Sequence, residues 1–109
     1  MKKQAKNLPC ITVCIITYNQ EFYIGNCINS IINQRTYCDI EIIVGDDYST
    51  DDTRKILIEY QNKYPQIIRL ILHEQKVGAQ NNYLAVHRAA KGLYVCHIDG
   101  DDLCRPNKL

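Results

Sequence analysis

No apolar run in this 109-residue sequence approaches the roughly 18 residues that a membrane-spanning helix needs, so no span is expected. Lys2, Lys3 and Lys6 stand near the start, but no apolar segment follows them, so no signal peptide is read there. The six cysteines (10, 14, 27, 38, 96 and 104) form no Cys-x-x-Cys pair and no zinc-type spacing. Several lie in apolar segments, where a thiol acts as a small hydrophobe, and reduced thiols in a cytosolic protein are expected rather than disulfides. No Gly-rich dinucleotide fingerprint and no phosphate-binding P-loop follow the first apolar segment, which makes nicotinamide cofactors and P-loop phosphoryl transfer poor fits. Nucleophile-elbow spacing, internal repeats and low-complexity tracts are absent too. With a net charge of +1 there is no single-signed field to favour nucleic acid or a membrane surface.

The content that remains is that of one soluble domain with a packed core, 46% hydrophobic and 23% charged. Residues 1–9 read as a polar tail ending at Pro9, and residues 10–109 as the domain. Seven of the 12 acidic residues fall in two short windows, Asp46 to Asp52 and Asp99 to Asp102.

Ile11 to Thr17 is β-branched and nearly continuous, the pattern of a strand buried on both faces. Tyr18-Asn19-Gln20 breaks it. From Glu21 the period changes, and Ile24, Cys27, Ile28, Ile31 and Ile32 share one helical stripe. Asn33 to Asp39 reads as a turn and Ile40 to Val44 as a second strand. Ser49 or Thr50 is expected to cap the next helix, with Asp51 and Asp52 suiting its positive end. That helix carries Ile56, Leu57, Tyr60 and Tyr64 and stops at Pro65. Ile67 to Leu72 predicts a third strand, and His73 to Gly78 a loop. Asn81 to Lys91 predicts a helix, with Tyr83, Val86, His87 and Ala90 on one side and Gly92 past its end. Leu93 to Ile98 predicts a fourth, buried strand, and Arg105-Pro106 a final turn. Alternation of this kind implies a Rossmann-like three-layer α/β/α sandwich with a mainly parallel sheet. Ligands of such sheets bind beyond the carboxyl ends of the strands, which gathers Thr17 to Glu21, Gly45 to Asp52 and Asp99 to Asp102 at one rim.

Each loop has a plain reading beside a functional one. Asp99-Gly100-Asp101-Asp102 is a polar turn, or a set of oxygen donors for Mg²⁺ or Mn²⁺ against a diphosphate. It is not an EF-hand, because Cys104 stands where that loop needs Gly. Asp46-Asp47 serves a helix start, or accepts hydrogen bonds from a base or ribose. Tyr18 covers the sheet edge, or stacks on a base. His97 reads as a core or lining residue; His73 and His87 carry no site signal. A phosphatase-like or response-regulator-like domain would need a well-placed Lys or Thr after Ile98, and none is evident.

Three ordered segments carry a resemblance: Val13-Cys14-Ile15-Ile16-Thr17-Tyr18-Asn19-Gln20-Glu21, then Ile42 to Thr53, then Gly92 to Asp102. With Pro106-Asn107-Lys108-Leu109 behind them, they resemble the N-terminal half of a family 2 glycosyltransferase of the GT-A fold. The resemblance implies a nucleotide-sugar site built from Thr17, Tyr18, Asn19, Glu21, Asp46, Asp47, Asp99, Gly100 and Asp101. It also implies a Mg²⁺ or Mn²⁺ ion on Asp101, with Asp102 as the other candidate ligand. By the same resemblance, Tyr18 and Asn19 line the base pocket, Asp47 contacts the base and Asp99 faces the ribose. Tyr48 stands where the family commonly has a small residue and is expected to narrow the pocket. The family continues into an acceptor-binding half that supplies the general base, so no catalytic residue is assigned here. The chain is read either as a donor-binding half in glycan or polysaccharide synthesis or as a catalytically inactive binding module. The resemblance further implies a glycan or lipid-linked acceptor, and a cytoplasmic place, at most peripheral to the inner face of a membrane. The sheet edge at the last strand leaves a homodimer open.

Overall fold

The computed structural model describes residues 11–34 and 39–103. The expected tail, the Arg105-Pro106 turn and the segment from Pro106 to Leu109 lie outside the described residues. The elements follow in the order β1 (Ile11–Thr17), α1 (Ile24–Ile32), β2 (Ile40–Asp46), α2 (Thr53–Lys63), β3 (Ile68–Leu72), α3 (Ala79–Ala89) and β4 (Tyr94–Asp99). The strands form one parallel sheet in the order β3-β2-β1-β4. The chain thus moves outward from β1 to β3, then crosses back to the far side of β1. Right-handed crossovers put helices on opposite faces when the direction reverses. Accordingly α1 and α2 cover one face and α3 the other, giving the three layers.

Period two along the strands divides the core. Val13 and Ile15 of β1 and Ile42 and Val44 of β2 pack with Ile24, Cys27, Ile28 and Ile31 of α1 and with Leu57 of α2. Cys14 and Ile43 turn the other way, onto Val86 of α3. Gly45 permits that second contact, since a Cβ there would run into the side chains of Asn82 and Val86. Burial, and secondarily the charge of Glu41, push the Cys14 thiol up to about 11.

A polar staple ties α3 to the amino ends of the strands. The buried Glu41 carboxylate accepts from the Thr12 hydroxyl at 2.6 Å, from the Lys91 N–H at 2.9 Å and from Arg69 at 2.8 Å. Arg69 also donates to the Ala89 carbonyl at 2.7 Å. Burial alone would raise the Glu41 carboxyl, but these bonds outweigh it and hold it below the usual range.

Several boundaries differ from expectation. β2 runs on to Asp46, because Thr17 and Asp46 are still in register. α3 begins and ends two residues early: it starts directly after Gly78, and Ala90 is already extended, so Gly92 does not close it. β4 is not a buried strand. It is the edge of the sheet among the described residues, and Tyr94 and Val95 are 68% and 45% exposed. Neither Ser49 nor Thr50 caps α2; the Asp51 carboxylate accepts the Thr53 N–H at 2.9 Å instead.

Candidate functional site

Register decides what meets at the rim. Thr17 pairs with Asp46 and Ile16 with Asp99, so β1, β2 and β4 end side by side. A cleft of about 350 Å³ opens there, where the sheet order reverses. Thr17, Tyr18, Asp47, Asp99 and Asp101 line it, so the two acidic windows share one site. The β3–α3 loop and the start of α3 complete the wall with Lys76, Ala79 and Asn82, and Gln20 closes it beside Thr17.

Asp47 is 2% exposed and holds the fourth loop in place. One oxygen accepts the Val77 N–H at 2.7 Å; the other accepts the Gly78 N–H and the Lys76 ammonium, each at 3.1 Å. Burial would raise this carboxyl, yet the hydrogen bonds from Val77, Lys76 and Gly78 win and keep it below its ordinary range. Three of a carboxylate's roughly four acceptor positions are thus filled. Lys76 in turn lies over the Tyr18 ring, 3.5 Å from its centroid, as a cation–π partner.

Asp46, Asn19 and Glu21 do not line the cleft. The side chain of Asp46 is fully buried, bonded to the Ser49 hydroxyl and paired with Arg54 at 2.7 Å. Asp46 closes β2 and Asp47 is the first residue beyond it, and the adjacent acids take different tasks. Asn19 has a left-handed backbone (φ 49), which Asn tolerates. Its side-chain oxygen accepts the Thr50 N–H at 2.8 Å, and its N–H donates to the Ser49 hydroxyl at 2.9 Å. Glu21 accepts the Asp52 N–H at 2.8 Å, while the Glu21 N–H donates to Asp51 at 3.2 Å. These residues clasp the β1 and β2 loops together. Tyr48 does not narrow the cleft either: it is 48% exposed, with Arg54 beside its ring.

In the acidic loop, the Gly100 N–H donates to the Ile16 carbonyl at 3.1 Å. A Cβ at Gly100 would come within 2.8 Å of the Thr17 hydroxyl and collide with the Gln20 amide, so only glycine lets the loop lie this close. Asp99 bonds to His97 at 3.1 Å. The Asp101 carboxylate has no partner among the described residues. Asp102 is exposed and outside the cleft. No cluster of three or more His, Cys, Asp or Glu side chains suited to a metal ion occurs among the described residues. A magnesium-type site does not need one, since such an ion takes one or two carboxylates and fills its sphere with water and phosphate oxygens. Asp101, which lines the cleft, fits that donor set; Asp102 does not reach it.

Lys76, Gln20 and Asn82 are absent from the sequence-derived set. The rule that collects loops at the carboxyl ends of strands applies equally to the loop after β3, and would have included Lys76.

Sheet, switch-point cleft and acidic rim make this an α/β domain of the GT-A type. A profile of the family described as "Glycosyl transferase family 2" matches residues 12–109, and the chain belongs to that family. The chondroitin synthase of Escherichia coli is 33% identical over 102 residues, covering 94% of this chain and 14% of that protein. An uncharacterized protein of Mycobacterium tuberculosis is 40% identical over 92 residues, covering 84% of this chain and 27% of that protein. Among solved structures, S. aureus TarS 1-349 in complex with UDP superposes with a TM-score of 0.77 at 31% identity, over 86% of this chain and 28% of that one. A mannosyltransferase from Pyrobaculum calidifontis, in complex with GDP-Man and Mn²⁺, gives a TM-score of 0.79 at 27% identity, over 89% of this chain and 29% of that one. The chain therefore spans well under a third of the length of each of these four proteins.

Proposed function

We propose that the cleft binds a nucleoside-diphosphate sugar together with Mg²⁺ or Mn²⁺, as the donor-binding part of an inverting glycosyltransferase in glycan or polysaccharide synthesis. The acceptor is a hydroxyl of a glycan or lipid-linked molecule. The observation that carries this is the charge of the cleft. Asp47 and Lys76 neutralise each other, which leaves Asp99 and Asp101 facing a pocket with no further cation lining it among the described residues. A diphosphate enters such a place only with a bridging cation. The neighbours bound to UDP and to GDP-Man with Mn²⁺ support the same reading.

The residues divide the work. Tyr18 offers a ring to the base, and Asp47 its one remaining acceptor position. Asp99 faces the ribose and Asp101 holds the ion. When bound, the ion offsets charge developing on the leaving diphosphate. Gly100 and Thr17 keep the acidic loop against the first strand, so Asp101 is held in reach. Cys14 and Cys96 are free thiols, which suits a reducing, cytoplasmic setting.

A thermal-shift panel of nucleoside diphosphates, each with Mn²⁺ and with chelator, tests this. One diphosphate should stabilise the protein with Mn²⁺ and do so much less in chelator. Asp101→Asn should abolish the metal effect, and Asp102→Asn should keep it. Equal shifts in chelator would refute the metal role, and no shift with any nucleotide would refute the donor site.

A further inference from the structure

His97 and Asp99 stand two residues apart on β4 and so share one face of the sheet. His97 is in register with Cys14, whose side chain packs under α3. From α3, Tyr83 and His87 reach the same place, one helical turn apart. The Tyr83 and His87 rings stack with centroids 4.0 Å apart, and His97 lies 4.8 Å from Tyr83. Within this stack His87 Nε2 is 3.2 Å from His97 Nδ1, and His97 Nε2 is 3.1 Å from Asp99 Oδ1. The chain imidazole–imidazole–carboxylate ends at a residue that lines the cleft.

The contacts dictate where the protons are. An ionised carboxylate only accepts, so His97 Nε2 carries the hydrogen. A neutral His97 then has a bare Nδ1, which must accept, so His87 Nε2 carries the other hydrogen. Two imidazolium rings would set N–H against N–H, so the pair holds at most one extra proton while the contact lasts. The groups facing the pair are Cys14 from β1, Asp99 from β4 and Tyr83 from α3. Burial, and secondarily the charge of His97, hold the His87 imidazole below its ordinary range, which favours a neutral His87.

We infer that His97 is a positioning residue for Asp99 and that His87, seated by Tyr83, locks the tautomer in which His97 does so. This rests on the donor-site reading above. The Asp99 side chain is 58% exposed, against 26% for His97, so without this bond little else would fix its rotamer. A carboxylate that must be ordered by the incoming ligand binds it more weakly than one already aimed. The arrangement matches the use of partners behind metal-ligating and catalytic groups elsewhere, here applied to a substrate-facing acid.

Two measurements test it. Long-range ¹H–¹⁵N spectra of the imidazoles in the free protein should show both His87 and His97 protonated at Nε2 near neutral pH. A His97 protonated at Nδ1, or a rapid mixture of tautomers, would overturn the inference, whether or not any nucleotide binds. The second compares His97→Phe with His97→Gln, whose amide can still donate to Asp99. With Mn²⁺ and the nucleoside diphosphate that stabilises the parent most, His97→Phe should bind roughly three- to tenfold more weakly. His97→Gln should stay within about twofold of the parent. Equal losses in both variants, or none in either, would overturn the positioning role. If the parent binds no nucleotide the donor reading fails, and the tautomer spectra alone decide the geometry.

Discussion

Lys76 occupies the face of the Tyr18 ring while its ammonium bonds to Asp47, 3.1 Å away. One flexible side chain therefore covers one face of the ring and answers the buried acid. On the donor-site reading, an incoming base would meet a ring already paired with a cation. Replacing Lys76 with Met keeps the aliphatic stem and removes the charge. Nucleoside diphosphate affinity should fall about tenfold, the effect of losing one charge-assisted contact. Its dependence on salt should weaken at the same time. Calorimetry at two ionic strengths measures both.

Asp47→Asn leaves the Val77 N–H, the Gly78 N–H and Lys76 sharing an amide that cannot accept from all three. Stability should drop by about 1.5–3 kcal/mol, the range for hydrogen bonds to a charged group. The parent also has a predictable acid response. The folded Asp47 carboxyl titrates below the unfolded one, so the unfolded chain binds more protons between the two values. Its stabilisation is complete above about pH 5 and is lost as pH falls through the folded value. Denaturation midpoints from pH 7 down to pH 3 should decline less steeply in Asp47→Asn than in the parent.

Glu41 stands at the opposite end of the sheet from the cleft, so its removal separates folding from binding. Glu41→Ala takes the acceptor from the Thr12 O–H and the Lys91 N–H and removes the ion-pair partner of Arg69, which keeps its bond to the Ala89 carbonyl. The expected loss is about 2 kcal/mol, less than the roughly 3–5 kcal/mol of a fully buried pair, because the Arg69 side chain is 42% exposed. Urea unfolding reads the loss. Nucleotide affinity at a temperature where the variant is folded should match the parent.

Tyr48 has φ 64, a left-handed backbone that costs a bulky residue about 1–2 kcal/mol. Tyr48→Gly should relieve that cost, offset by the lost ring contact with Arg54 and by a more flexible unfolded chain. A net gain of up to about 1 kcal/mol is expected, read as a higher midpoint in urea. No loss of nucleotide binding should accompany it, since Tyr48 is outside the cleft.

The alternation of strands and helices was legible because β1 and β2 are buried on both faces and read as short runs dominated by β-branched residues. The parallel direction of the sheet then followed from that alternation, and with it the meeting of Asp47 with Asp101. Burial of β4 was not legible, because whether a strand is an edge depends on neighbours and not on its own residues. The division between Asp46 and Asp47 was hidden for a different reason. Both are acids at a strand end, and only the folded chain shows that one turns toward Arg54 and the other toward Lys76. The start of α3 escaped because Gly78 offers no capping side chain to mark it. The His87–His97 contact joins residues ten apart across a helix-to-strand turn, and no spacing rule announces it.

Asn19 joins the turn after β1 to the turn after β2 through hydrogen bonds to Ser49 and Thr50. These two turns, about thirty residues apart in the chain, therefore behave as one rigid lip. Lengthening either by a single residue should unseat both.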